Sequence, residues 1–217
     1  MTHPNFTVEP CAARAQQNGA SLIMVMIILT IVSMIGVAGI QISTMAERSA
    51  RNDRDYQIAW QAAEAALADA KDDLFPGGYG APTISLRAAA FETANVPANF
   101  TDGCGTSGQS KGLCNLVVTS DKQAWVSVDF EAAGNTAPTV EYGDFTGRTF
   151  TAGGPGVQPA RKPRYVIEPM KDGEGPGSPC RNANAGASEC PPVFRVTAMG
   201  FGPRADIQAV LQMIYRR

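Results

Sequence analysis

Five cysteines and one histidine carry most of the reactive side chains of this 217-residue chain, and their positions limit the chemistry open to it. The histidine is His3, at the extreme amino end, so an imidazole-based triad or metal site has no second member downstream. Cys11 precedes a long apolar run, whereas Cys104, Cys114, Cys180 and Cys190 follow it, which separates the odd cysteine from an even set. An even set placed in Gly/Pro/Ser/Asn-rich stretches points to an oxidising compartment. Each local pair has nine residues between its members, which favours bridges Cys104–Cys114 and Cys180–Cys190 among the three connectivities that four cysteines allow. Four reduced core cysteines are the competing reading, although such cysteines do not usually cluster in loops. No CxxC spacing supports zinc.

Other motifs carry less. Gly103-Cys104-Gly105-Thr106-Ser107-Gly108 spells G-x-G-x-x-G, but a dinucleotide fingerprint must leave a strand and open a helix. The flanks, Asn99 to Asp102 and Gln109 to Gly112, do neither, so a disulfide-closed loop is expected there. Asp172 and Glu174 could offer oxygens to calcium, yet two carboxylates in a loop read better as a solvated turn. No catalytic, cofactor-binding or metal residue is therefore expected. Net charge is −2, with 18 basic and 20 acidic residues, which gives no electrostatic footprint for nucleic acid.

The elements that would position these residues begin with the apolar run from Ala20 to Ile42, which contains no charge. As a helix it extends about 35 Å at 1.5 Å per residue, enough for a hydrocarbon core of roughly 30 Å. A secretory signal would place small residues after a shorter run, whereas here the plausible processing residue, Gly19, lies before it. A leader (residues 1–19), a membrane-spanning segment (20–42) and one soluble domain follow from this reading. The positive-inside rule, counted on Arg14 against Arg48, Arg51 and Arg54, points the soluble domain inward. Large carboxyl-terminal domains translocate largely regardless of charge, and the cysteines require an oxidising space, so we place the domain on the outer side.

From Tyr56 the sequence sets Tyr56, Trp60, Ala63, Leu67, Ala70 and Leu74 at alternating four and three spacings, an amphipathic stripe. Arg54, Gln57, Gln61, Glu64, Asp69 and Lys71 fall on other faces. No Pro or Gly interrupts Gln41 to Phe75, so one helix of more than fifty residues is expected, its continuation (43–75) ending at Pro76-Gly77-Gly78. Trp60 and Trp125 read as core anchors. Asp72 and Asp73 oppose the helix dipole and read as solubilising. The remainder (76–217) is rich in glycine, proline and β-branched residues. Strands are expected at Leu116 to Thr119, Ala124 to Phe130, Arg164 to Glu168, Val193 to Met199 and Asp206 to Tyr215. The last two form a hairpin, with Phe194, Val196 and Ala198 facing a core and Arg195 and Thr197 facing water. The architecture is α+β, a long amino-terminal helix on an antiparallel sheet.

Gly19 ahead of the apolar segment, Ala46-Glu47-Arg48-Ser49-Ala50, Asn52, Arg54 and the run Ala59-Trp60-Gln61-Ala62-Ala63-Glu64-Ala65-Ala66-Leu67 together resemble the amino-terminal region of PilX-type minor pilins of type IV pili. Pro163 to Glu168, Phe194 to Gly202, Val210 to Gln212 and Tyr215-Arg216-Arg217 are similar to that family's carboxyl-terminal half. The resemblance implies a type IV pilin-like fold and cleavage between Gly19 and Ala20 by a prepilin peptidase, with methylation of Ala20. It further implies a role in initiating pilus assembly at the inner membrane beside other minor pilins, the major pilin and a PilY-type tip adhesin. Most pilins carry Glu at the fifth mature position; here it is Met24. A carboxylate in the bilayer is costly unless matched, so Met24 removes both the cost and an attachment point and suits a subunit at or near the tip. Two other readings stay open: a pseudopilin-like component of a type II secretion apparatus, and a membrane-tethered ligand-binding domain.

Overall fold

The computed structural model describes residues 20–77, 87–92, 96–115, 124–170 and 193–216. Helix α1 spans Ala20–Leu74, 55 residues without a break. The chain divides into two compact units, Met1–Ala50 and Arg51–Arg217, and α1 contributes to both. In the first unit residues 21–50 are exposed throughout, and this is a helix long and apolar enough to cross a membrane.

In the second unit α1 ends as Phe75 donates its N–H to the Lys71 carbonyl and Gly77 takes a positive φ of 89° beyond Pro76, a glycine-terminated helix end. Short ladders come next: β1 (Thr101–Cys104) with β2 (Cys114–Asn115), and β3 (Val140–Glu141). The main strands are β4 (Arg164–Met170), β5 (Val193–Phe201) and β6 (Gln208–Arg216). Strands β3-β4-β5-β6 form one sheet in that order, antiparallel throughout. Where β3 stops, the loop before β2 takes over beside β4: the Ile167 amide donates to the Gly112 carbonyl at 2.9 Å. This is the α+β architecture expected, with the β5–β6 hairpin in place.

The core lies between α1 and one sheet face. Ala66, Leu67, Ala70 and Leu74 meet Tyr165 and Ile167 of β4 and Phe194, Val196 and Ala198 of β5, with Phe91, Phe100 and Leu113 closing the sides. Gly200 marks the closest approach. A Cβ there would stand 2.1 Å from the Ala59 carbonyl oxygen and 2.3 Å from the Ala63 nitrogen.

Several expectations need correction. The buried stripe starts at Ala59 and runs through Ala62, Ala63, Ala66, Leu67, Ala70 and Leu74, while Tyr56 is 49 % and Trp60 41 % exposed. Small residues win the interface because alanine lets backbone approach backbone, and Trp60 instead donates its indole N–H to Glu64 one turn on. The segment Ala124 to Phe130 is no strand. It holds a single helical turn, α2 (Ala124–Ser127), and then Asp129 Oδ1 accepts from the Glu131 and Ala132 amides. That side chain mimics a turn and pulls the backbone out of any ladder. Phe130 and Val128 still serve the core, packing with Val166, Met199 and the Cys104/Cys114 bridge on the second sheet face. Thr197 is consequently buried rather than solvated. Gly200 and Phe201, expected in the hairpin turn, extend β5. The expected strand Leu116 to Thr119, the Asp172/Glu174 turn, Cys180 and Cys190, and the side chain of Trp125 lie outside the described residues.

Candidate functional site

The two parts of α1 have different surfaces and so different tasks. In the first unit every described side chain is uncovered, and two hydroxyls that would be costly in lipid are already satisfied. Thr30 donates to the Ile27 carbonyl and Ser33 to the Leu29 carbonyl, both at 2.7 Å, so neither leaves an orphan donor in hydrocarbon. A Cβ added at Gly36 or Gly39 would meet nothing within 4 Å. Together with Ser33 and Ala38 these small residues allow close helix contact. Met24 is exposed on the same helix, whereas Gly19 lies outside the described residues.

In the second unit the last two turns of α1 carry three carboxylates, Asp69, Asp72 and Asp73, of which Asp69 and Asp73 are buried. Asp73 and Arg87 form a fully buried ion pair: Arg87 Nε donates to Asp73 Oδ2 at 2.9 Å, and both side chains are 0 % exposed. The Tyr165 hydroxyl donates to the same carboxylate at 3.0 Å. Arg87 reaches onward to the Gln109 and Lys111 carbonyls inside the disulfide loop and lies over the Phe145 ring, 3.8 Å from its centroid. Asp72 accepts from Arg148 Nη1 at 2.7 Å. Asp69, also buried, accepts from the Gly143 amide at 2.9 Å and from the Thr146 hydroxyl. The three acids thus tie separate loops to one helix end, which corrects the solubilising role. A carboxylate at i, i+3 and i+4 among buried alanines was the available signal.

Burial pushes the Tyr165 phenol well above 10.0, reinforced by the Asp73 charge, so it stays protonated as a donor. Burial also lifts the Asp69 carboxyl above 3.8, with Asp73 adding to the rise and Gly143, Thr146 and Arg148 opposing it. A carboxyl whose folded pKa is raised holds its proton more tightly in the native state. Its effect on stability is therefore most favourable below pH 3.8 and is lost as pH climbs through the raised value. Asp69→Asn keeps an acceptor for Gly143 and offers Thr146 a donor. We expect it to flatten that loss, measured as denaturant midpoints of the detergent-solubilised full chain between about pH 4 and pH 7.

The Cys104–Cys114 disulfide is formed and closes the loop that the G-x-G-x-x-G string spells, with its backbone turned toward Arg87 and Ile167 rather than toward an open helix end. Among the described residues no group of three or more His, Cys, Asp or Glu is placed to hold a metal ion. Two surface grooves among the described residues of the second unit are open and mostly apolar. One of about 420 Å³ runs between α1 and β6, lined by Glu64, Leu67, Ala68, Lys71, Met213 and Tyr215.

An uncovered apolar helix that continues into a second stretch packed on an antiparallel sheet defines a type IV pilin-like subunit. Residues 18–68 match the PilX N-terminal family, and residues 46–217 match the family described as Type IV pilus assembly protein PilX C-term. The chain belongs to the PilX family of type IV pilus assembly proteins. No curated protein and no solved structure matches it.

Proposed function

We propose that this chain is a minor pilin that helps initiate type IV pilus assembly from the bacterial inner membrane. The observation that carries the reading is α1 itself: unbroken from Ala20, uncovered through residue 50, and buried along one face from Ala59 onward within the second unit. A retained helix of this kind is an assembly element, because its apolar surface must be covered first by lipid and then by other helices. In this reading a prepilin peptidase cuts between Gly19 and Ala20, Ala20 is methylated, and the carboxyl-terminal domain faces the periplasm before joining the pilus. Other minor pilins, the major pilin and a PilY-type tip adhesin are the partners.

Intact-mass measurement of the membrane-extracted protein tests processing directly. The expected mass is that of residues 20–217 with one added methyl group and four hydrogens removed, for the bridges Cys104–Cys114 and Cys180–Cys190. A product that keeps its first nineteen residues in working cells, or one that starts beyond α1, overturns the proposal.

Met24 supports a place at or near the tip, since a subunit with no earlier neighbour needs no carboxylate to engage one. We expect Met24→Glu to leave pilus assembly intact or to shift the subunit's position, read by cross-linking in isolated pili. Wild-type subunits found at regular intervals along the shaft would rule the tip placement out.

A further inference from the structure

Strand β4 opens with a cation that the fold encloses. Arg164 is 5 % exposed and lies between β3 and β5, opposite Glu141 on one side and Met199 on the other. It shares a sheet face with Val166, two residues on, and that is the face packed with Val128, Phe130 and the Cys104/Cys114 bridge. A guanidinium carries five N–H donors. Nη2 donates to Glu141 Oε2 at 3.3 Å, whereas Nε and Nη1 are buried with no hydrogen-bond partner among the described residues.

The one carboxylate at this site is shared. Glu141 Oε1 also meets Lys162 Nζ at 3.1 Å, so two cations divide a single negative charge. Lys162 reaches water, but the Arg164 side chain is 6 % exposed, and a buried charge is costly unless paired. The acids of the covering segment are engaged elsewhere. Asp129 accepts from the Glu131 and Ala132 amides, and Glu131 accepts from Gln208.

A second buried donor comes from the residue that enters β3. Thr139 is 1 % exposed, and its hydroxyl too has no hydrogen-bond partner among the described residues. The β3–β4 register sets Glu141 against Arg164 and Val140 against Tyr165. One step further along it brings Thr139 level with Val166, on the sheet face that Arg164 occupies. Buried polar groups are nearly always bonded, and here a guanidinium nitrogen and a hydroxyl are left over together.

We propose that Arg164 Nη1 and the Thr139 hydroxyl bind a small monovalent anion of chloride size, held between the start of β4 and the chain entering β3. A monatomic ion accepts hydrogens from any direction, which suits donors on two unrelated side chains. A carboxylate or an oxyanion calls for donors set to its own geometry. One negative charge also balances Arg164, Lys162 and Glu141. The inference is independent of the processing and tip placement above.

Chloride titration of the full chain in a non-ionic detergent, with gluconate holding the ionic strength constant, tests the site. An ion that binds only the folded state raises the folded-to-unfolded ratio, so urea unfolding at about 100 mM chloride is expected to show a ratio roughly fivefold or more above that at about 1 mM. Thr139→Val keeps the side-chain size and removes the hydroxyl. It is expected to raise the chloride concentration needed for half the effect by about threefold or more. Glu141→Gln removes the competing carboxylate and is expected to lower that concentration by a similar factor, a gain that a merely structural role would not produce. Arg164→Met is expected to abolish the dependence, and if it fails to fold, Thr139→Val and Glu141→Gln decide. Broadening of the chloride NMR line by the folded wild type, reduced in Thr139→Val, reports binding directly. The proposal is overturned if chloride and gluconate stabilise alike, if Thr139→Val and Glu141→Gln respond to chloride as wild type does, or if folded Arg164→Met keeps the full dependence.

Discussion

Truncating Asp73 to alanine is expected to destabilise the second unit by about 3–5 kcal/mol, the cost of stranding a buried charge. Asp73 and Arg87 are both fully enclosed, and the same carboxylate accepts the Tyr165 hydroxyl. Its removal leaves the Arg87 guanidinium without its counterion and the Tyr165 donor without its acceptor. Arg87 also holds the Gln109 and Lys111 carbonyls, so the damage spreads into the disulfide loop. Urea unfolding of the detergent-solubilised chain, followed by tryptophan fluorescence, gives the change. The double variant Asp73→Leu/Arg87→Leu removes both charges and is expected to recover more than half of the loss, because replacing a whole buried pair by apolar residues is often near neutral. A loss below about 1 kcal/mol for Asp73→Ala, the range of a surface pair, would show that the pair does not hold the loop.

Gly200→Ala is the second large effect. The added methyl would stand 2.1 Å from the Ala59 carbonyl oxygen and 2.3 Å from the Ala63 amide nitrogen, both backbone atoms of a helix that cannot rotate aside as a side chain would. Overpacking typically costs about 1–3 kcal/mol, and a clash with helix backbone places this substitution at about 3 kcal/mol or beyond. Hydrogen exchange should show the damage locally, as lost protection at residues 59–63 and along β5. Gly36→Ala serves as the control: nothing lies within 4 Å of its added carbon, so unfolding of the second unit is expected to be unchanged. Equal effects of the two substitutions would refute the close approach of α1 and β5.

Both effects arise where the sequence was hardest to read. Periodicity revealed the helix, its length and its end at Pro76-Gly77, because those depend on local propensity and on an apolar run no other structure could satisfy. Alternation in Phe194, Val196 and Ala198 revealed β5 for the same reason. The failures came where tertiary contacts decide. Tyr56 and Trp60 match the spacing of the buried stripe, but the sheet meets α1 only from Ala59 onward. Hydrophobicity alone could not choose between large residues and the alanines beside them. Asp69 and Asp73 look polar in a list and are buried in the fold, since their partners Thr146, Arg87 and Tyr165 are distant in the chain. The strand expected at Ala124 to Phe130 has the right composition but an aspartate at 129 that caps its own turn. Of the cysteine pairs, Cys104–Cys114 is formed as the spacing favoured.

The loop closed by that bond does the work of a missing strand, since its Gly112 carbonyl receives the Ile167 amide beyond the point where β3 ends. Ribosome-fresh polypeptide in a thiol-rich cytoplasm would lack this clasp, and the far margin of its sheet would stay ragged. Sealing that margin waits for an oxidant, so the finished sheet edge is available only where such a bond persists.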